Sequence, residues 1–449
     1  MLSSYQVIQG MILIACNAWC YAEPLRTIVI QQQTQKQIVV IGGGVMGVCS
    51  AYFLAEAGHQ VAVVEQRSNV AEQSTLGNSG ILSAGAALPW SVPGMRRKIL
   101  AGMFNQEAPN VLNARFNPSL WRWMRRWMAE SEIQRFRSHT HQMQRLASYS
   151  QELLEQIQQH FQLDFEQNLG LLRLLRSEVE LAALAPVQEL LTECGVVHKL
   201  LDDAAVRLQE PALAGAGKLA GGLYFPDLGS GNCTLFTKQL KAILQGLGVQ
   251  FHFDSQVTAI VPQGDQVGLH IDGNVLMADA VVCAAGSASA QLLRPLGLRL
   301  PLHAIKTYTA TAAVKNYEVA PQMAVLDDTY QVTMARIGAR MRLAGIAEFG
   351  AQDMSFDDKA LRTLLKVAHD WFPDAANFNS ASFWCGHTPM LADEVPLIGH
   401  TGASNVFVNI GHGGSGWSMA LGAAKVLADQ ICGRIPEVDL DGLTVARYR

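Results

Sequence analysis

The sequence predicts an α/β fold: a Rossmann-type parallel-sheet domain with an α+β domain, built on an antiparallel-rich sheet, inserted into it. Three observations predict this. A short apolar run meets a glycine turn at residues 38–47, "IVVIGGGVMG". A second apolar strand ends on a carboxylate, Glu65, 23 residues beyond Gly42. Strand-then-glycine signals return at 279–286 and 406–417, on the far side of a strand-rich block at 300–348. Nucleotide-type signals at both ends and in the middle make the first domain discontinuous. The expected division is an extension at 1–36, a nucleotide-binding domain at 37–90, 232–295 and 390–449, and a helical region with the second domain at 91–231 and 296–389.

The elements follow in order. Strand 37–41 runs into the glycine turn, and a helix over 45–57 carries small residues at Gly47, Ser50 and Ala51. Gly58 stops that helix as its C′ residue, and strand 61–65 follows. Residues 95–165 read as mostly helical, 168–176 as a strand, and the stretch to about 201 as helical again. "GGLYFPDLG" at 221–229 returns to strand and turn, and 234–247 is an amphipathic helix. Strands are expected at 249–253, 256–262, 267–271 and 279–284, then through 300–348. "VFVNI" at 406–410 is the last strand, and a helix over 416–432 closes the chain.

The 449 residues suit two domains or one large α/β protein. With 49% apolar and 16% charged residues the chain can bury a large core. A net charge of -4 argues against a general nucleic-acid binder. The eight cysteines are scattered, with no Cys-x-x-Cys pair and no Cys/His cluster at zinc spacing, so they read as reduced thiols and no metal site is expected. An uncharged, fairly apolar run at 7–22 lacks the positive flank of a signal peptide and is short for a bilayer span. Export, anchoring and a dispensable extension all remain open for it.

Gly42, Gly44 and Gly47 fit G-x-G-x-x-G between a strand and a helix. The first permits a tight turn, the second lets backbone approach a pyrophosphate, and the third lets helix and strand pack closely. The helix N-terminus at Val45 and Met46 offers unpaired N–H groups to phosphate. Glu65 is placed to accept from ribose hydroxyls. Three later features favour FAD over NAD. "STLGNSGILSAG" at 74–85, with Ser74, Asn78, Ser79, Gly80 and Ile81, suits backbone contact with a diphosphate or ribityl chain. "DAVVCAAG" at 279–286 is an apolar strand ending in small residues, Ala285 and Gly286. "NIGHGGSGW" at 409–417 puts Gly411, Gly413, Gly414, Ser415 and Gly416 before a helix whose dipole can face the flavin.

These segments resemble the FAD-dependent amino-acid oxidoreductase family that includes glycine oxidase and sarcosine oxidase, and within it the respiratory D-amino-acid dehydrogenase branch. The resemblance runs from about residue 37 to 449. It rests on "VIGGGVMGV", "GNSGILSAGAALPWSVPG", "EPAL" at 210–213, "TLFTKQL" at 234–240, "LDDTYQVTMAR" at 326–336 and "RLAGIAE" at 342–348. "SFWCGHTPM" at 382–390, "PLIG" at 396–399, "NIGHGGSGWSMALG" at 409–422 and "VARYR" at 445–449 complete it. The resemblance implies non-covalent FAD, with Gln66, Arg67 and Val257 joining the cofactor-binding set. It implies hydride transfer from substrate Cα–H to flavin N5, an imino acid that hydrolyses to a 2-oxo acid and ammonia, and a quinone acceptor. It also implies that the second-domain strands face the flavin, so Lys306, Tyr308, Tyr330, Arg336 and Arg342 are candidates to meet an amino-acid-like substrate, with His412 against flavin or substrate. An arginine would hold a carboxylate by a bidentate fork.

Two departures stand out. The family's arginine before "PM", which holds the substrate carboxylate, is Thr388 here, preceded by His387. Another arginine takes over, or His387 as imidazolium does, or the substrate is not a simple amino acid. The family's "PDG" reads "ADE" at 392–394. In "SLWRWMRRWMAE" at 119–130, Leu120, Trp121, Met124, Trp127 and Met128 are assigned to one helical face. Packed core and peripheral membrane contact both fit such a stripe. The expected location is cytoplasmic or peripheral on the inner face of the cell membrane. Rival readings are a same-fold oxidoreductase of N-substituted amino acids, opines or 2-hydroxy acids, and a flavin-binding scaffold with little turnover.

Overall fold

The apolar run 38–41 is explained by burial on both faces. Ile38 and Val40 enter one core and Val39 and Ile41 another, on opposite sides of a six-stranded sheet. Its order is Leu397–His400, Val406–Ile410, Ala280–Cys283, Gln37–Ile41, Gln60–Val64 and Gln250–His252. All neighbours are parallel except the antiparallel edge strand Leu397–His400. Helices Val45–Glu56 and Gly416–Ile431 pack together on one face, with Ile133–Phe161 against the latter. Gly422 permits that approach, because a Cβ there would stand 2.6 Å from the Leu146 carbonyl. The computed structural model describes residues 35–83, 87–93, 117–448 and the backbone of 110–112. The apolar run 7–22, the end of the 74–85 loop and most of 95–116 lie outside the described residues.

Residues Gln35–Arg449 form one compact unit. The second large element is a ten-stranded sheet. Its second strand, Leu302–Ala313, pairs antiparallel with the edge strand Ser382–Leu391 on one side and Arg340–Phe349 on the other. Val332–Ile337, Ala324–Asp327, Asn168–Leu175 and Gly221–Ser230 continue it to Ile81–Leu82. Helix Asp358–Trp371 covers one face, burying Leu364, Val367 and Trp371 against Tyr308, Met334 and Leu343. The opposite face is turned to the cavity described below. Strands Val257–Gln263, Gln266–Ile271 and Asn274–Ala278 form a separate antiparallel meander.

Strands Ser382–Leu391 and Leu397–His400 also lie outside the expected strand set, and three further local readings need correction. Lys199–Asp202 is a strand, paired with Gly221–Ser230, where helix was expected. Asn274–Ala278 is a strand that the sequence reading left out, joined to its neighbour by the turn at Asp272 and Gly273. Helix Pro118–Ala129 buries Leu120, Trp123, Met124 and Trp127, while Trp121 is 44% exposed. The cause is ring packing: Trp123 stacks on Trp127 with centroids 5.7 Å apart and also meets His303. The buried stripe therefore belongs to the protein core. Among the described residues no helix is long and apolar enough to cross a membrane.

Candidate active site

One cavity of about 990 Å³ lies between the glycine loops of the parallel sheet and the open face of the large sheet. That volume is at the upper end of the roughly 300–1,000 Å³ usual for cofactor and ligand sites. Two helices begin at the glycine loops of its wall. Val45–Glu56 and Gly416–Ile431 start at Gly44 and Ser415 with no side-chain cap. Helices Pro118–Ala129, Cys233–Gly246 and Asp358–Trp371 are capped by Asn117, Asn232 and Asp357. An uncapped first turn leaves N–H groups for an anionic ligand.

Within the first loop the glycines divide their work. A Cβ on Gly47 would stand 1.8 Å from the Gly42 carbonyl oxygen, and one on Gly42 would stand 2.5 Å from that of Ala284. These two glycines therefore serve backbone packing. Gly44, Val45 and Met46 line the cavity. Glu65 is buried, its carboxylate accepting from Gly43 N at 2.6 Å and Arg67 N at 2.9 Å. Thr75, which the sequence reading left out, accepts from Val45 N at 3.1 Å through Oγ1.

The remaining expected cofactor residues fall in two groups. Ser74, Asn78, Ser79, Ile81, Gly286, Gly411, Gly413, Gly414, Ser415 and Gly416 line the cavity. Gly42, Gly47, Glu65, Gln66, Arg67, Gly80, Val257 and Ala285 stand off its lining. Gly80 shapes the loop, with φ +86° and its carbonyl accepting from Gly231 N at 2.8 Å. Val257 is core between the parallel sheet and the meander.

Of the expected substrate-facing residues, Tyr308 and His412 line the cavity. The Tyr308 hydroxyl donates to Glu348, and burial together with that bond pushes its pKa up. Lys306 is 1% exposed, with Nζ 3.4 Å from Glu348 and 3.2 Å from Asp353. Tyr330 takes a hydrogen bond from Lys366 at 3.1 Å, and Arg336 donates to the Pro321 carbonyl at 3.3 Å. His387 bonds the Ala351 carbonyl at 3.1 Å through Nε2, whereas its neighbour Thr388 lines the cavity. Arg342 donates to the Leu76 carbonyl, and burial pulls its pKa down to about 10. It braces the 74–81 loop against the large sheet.

Thr388 is paired across the strands with Thr307, Oγ1 to Oγ1 at 3.2 Å, and both line the cavity. His412 is 4% exposed, and burial pulls its pKa down to about 3, so the ring is neutral. Its Nε2 and the Oδ1 of Asn409 are buried without a hydrogen-bond partner among the described residues, and both residues line the cavity. Buried polar atoms are seldom left so, and here they meet a ligand-sized space beside two open helix ends. A flavin dinucleotide fits that combination: backbone donors for the diphosphate, and polar atoms for the ring system. Thr75, Asn409 and Thr307 carried no distinct sequence signal, since lone Thr and Asn residues are common in any loop or strand.

The comparisons agree with this geometry. Residues 37–430 match the family described as FAD dependent oxidoreductase. A Vibrio cholerae serotype O1 (strain M66-2) protein described as D-amino acid dehydrogenase is 37% identical over 415 residues, covering 92% of this chain and 99% of that protein. Among solved structures, glycine oxidase from Geobacillus kaustophilus superposes with TM-score 0.72 at 20% identity, covering 92% of this chain and 99% of its own. L-Proline dehydrogenase from P. horikoshii gives 0.70 at 17% identity, covering 92% and 98%. The last two likenesses are of fold. Taken with the open helix ends and glycine loops, the match along nearly the whole chain makes this protein a member of the FAD-dependent oxidoreductase family, an enzyme whose cofactor is FAD.

Proposed function

We propose that the enzyme oxidises D-amino acids at Cα, releasing a 2-oxo acid and ammonia, with a quinone as electron acceptor. The observation that carries this reading is the 37% identity to a D-amino acid dehydrogenase across 92% of the chain. Bound FAD supplies the hydride acceptor. The protein's share is positioning and exclusion of water. The uncapped helix ends at Gly44 and Ser415 hold the cofactor's anionic groups. Neutral His412 presents Nε2 for a hydrogen bond without adding a cation that would repel or compete with the substrate amine. The Thr307 and Thr388 hydroxyls rotate to donate to a substrate oxygen, two neutral donors where the resemblance led to an arginine.

That same threonine pair favours a second reading, a same-fold oxidoreductase of N-substituted amino acids, opines or 2-hydroxy acids. Product analysis separates the two. With a quinone analogue as acceptor, D-amino acids should give ammonia and a 2-oxo acid while their L-enantiomers give neither. Turnover of 2-hydroxy acids without ammonia, or of N-methyl amino acids alone, would replace the first reading by the second. Rapid formation of hydrogen peroxide in air would remove the quinone from it.

A further inference from the structure

Beyond the Thr307–Thr388 pair the cavity is walled by Trp90, Val92, Met124, Trp127 and Phe349. Met124 and Trp127 come from one face of helix Pro118–Ala129 and are 3% and 1% exposed. The Trp127 ring lies 5.3 Å from that of Phe349, and Trp123 stacks behind it. The one polar atom of the Trp127 side chain is occupied: Nε1 donates to Glu394 Oε1 at 2.7 Å. The Trp90 indole fills the space that a Cβ on Gly414 would need, with Cζ2 2.5 Å away. The box thus abuts the glycine loop on the cofactor side.

Glu394 fixes this arrangement. It is 3% exposed and sits at φ +63°, the position where the resemblance leads to glycine. Its carboxylate accepts from Trp90 N at 2.6 Å and Ser91 N at 2.8 Å in addition to the Trp127 indole. One buried group therefore ties the 87–93 loop, the helix and the strand end into a single preformed wall. Such a wall returns little hydration to a charged side chain and offers an aromatic ring close contact over its whole face.

We propose that this box receives the substrate's side chain and selects substrates with a bulky apolar or aromatic group on the carbon that is oxidised. The inference rests on the amino-acid reading above and names its substrate class. The test uses the full-length FAD-loaded enzyme. Anaerobic flavin reduction by D-phenylalanine and D-leucine should exceed that by D-alanine about 10-fold or more in kcat/KM, with D-aspartate and D-lysine lowest. Independently of turnover, phenylacetate should perturb the flavin absorption spectrum at a concentration about 10-fold or more below acetate. Trp127→Ala and Met124→Ala should lower the D-phenylalanine to D-alanine ratio, which is read within one protein and so is insensitive to general damage. A flat side-chain order with active enzyme overturns the box and leaves the reaction intact, and so does equal binding of the two acids. If no D-amino acid reduces the flavin while phenylacetate still binds more tightly, the reaction falls and the box stands.

Discussion

Gly47→Ala tests how the cofactor loop is built. The added Cβ would stand 1.8 Å from the Gly42 carbonyl oxygen and 3.4 Å from Val40 Cγ1, whereas real Cβ contacts essentially never fall below 3.0 Å. The obstacle is backbone, so no rotamer change relieves it. The helix Val45–Glu56 must retreat from its strand by about 1 Å or more, carrying the cavity-lining backbone at Gly44 and Met46 away from the diphosphate. Overpacking of this kind costs about 1–3 kcal/mol, and a diphosphate held through several backbone donors senses the shift. FAD affinity should fall about 10- to 100-fold. The assay is quenching of FAD fluorescence on titration into apoprotein, with circular dichroism to verify the fold. Gly246→Ala is the control: it adds the same methyl at a helix end with nothing within 4 Å and should leave affinity unchanged. A folded Gly47→Ala protein that binds FAD like the wild type would refute the close-packing account of this loop.

Thr388→Arg should lower KM for small D-amino acids about 10-fold if the Thr307–Thr388 pair is the carboxylate's only support; unchanged KM would show that another group already holds it. His412 is kept neutral with its pKa near 3, below its ordinary 6.5. The unfolded chain therefore binds that proton first. The stability this gives is fully present above pH 6.5 and is lost as pH falls toward 3, by up to about 1.4 kcal/mol per pH unit. His412→Asn should flatten that part of the stability–pH curve of the apoprotein, and an unaltered slope would contradict the burial argument. Arg447 donates to the Asp393 carboxylate at 2.8 and 3.2 Å and to the Pro396 carbonyl at 3.1 Å. Arg447→Ala leaves Asp393 with Tyr448 as its remaining side-chain donor and should cost about 3 kcal/mol in chemical denaturation; a loss under about 0.5 kcal/mol would refute the tether.

The sequence was most informative where the chemistry is local. Gly42, Gly47 and Glu65 belong to one strand–turn–helix–strand unit, so their spacing alone carries their geometry. Strands Gln37–Ile41 and Val406–Ile410 were legible to the residue because they are short apolar runs bounded by turns. The substrate side was less legible because it is assembled by register. Thr307 and Thr388 lie 81 positions apart, and only the antiparallel pairing of their strands brings them to 3.2 Å. Lys306 and His387 read as candidates by type, yet both stand off the cavity while their chain neighbours Thr307 and Thr388 line it. Three tryptophans within seven residues made the face of helix Pro118–Ala129 ambiguous, and Trp123 was settled by its stack on Trp127. Glu394 was visible as a departure from the family pattern, but its partners Trp90, Ser91 and Trp127 lie far away in the chain.

The central claim is that one cavity brings bound FAD together with the Cα–H of a D-amino acid. Its most direct test is anaerobic flavin reduction by D-leucine, by D-leucine deuterated at Cα, and by L-leucine. The account predicts bleaching of the oxidised-flavin band by the D-enantiomer alone, slowed by the deuterium. Equal bleaching by L-leucine, or none by either enantiomer from an enzyme that retains FAD, would contradict it.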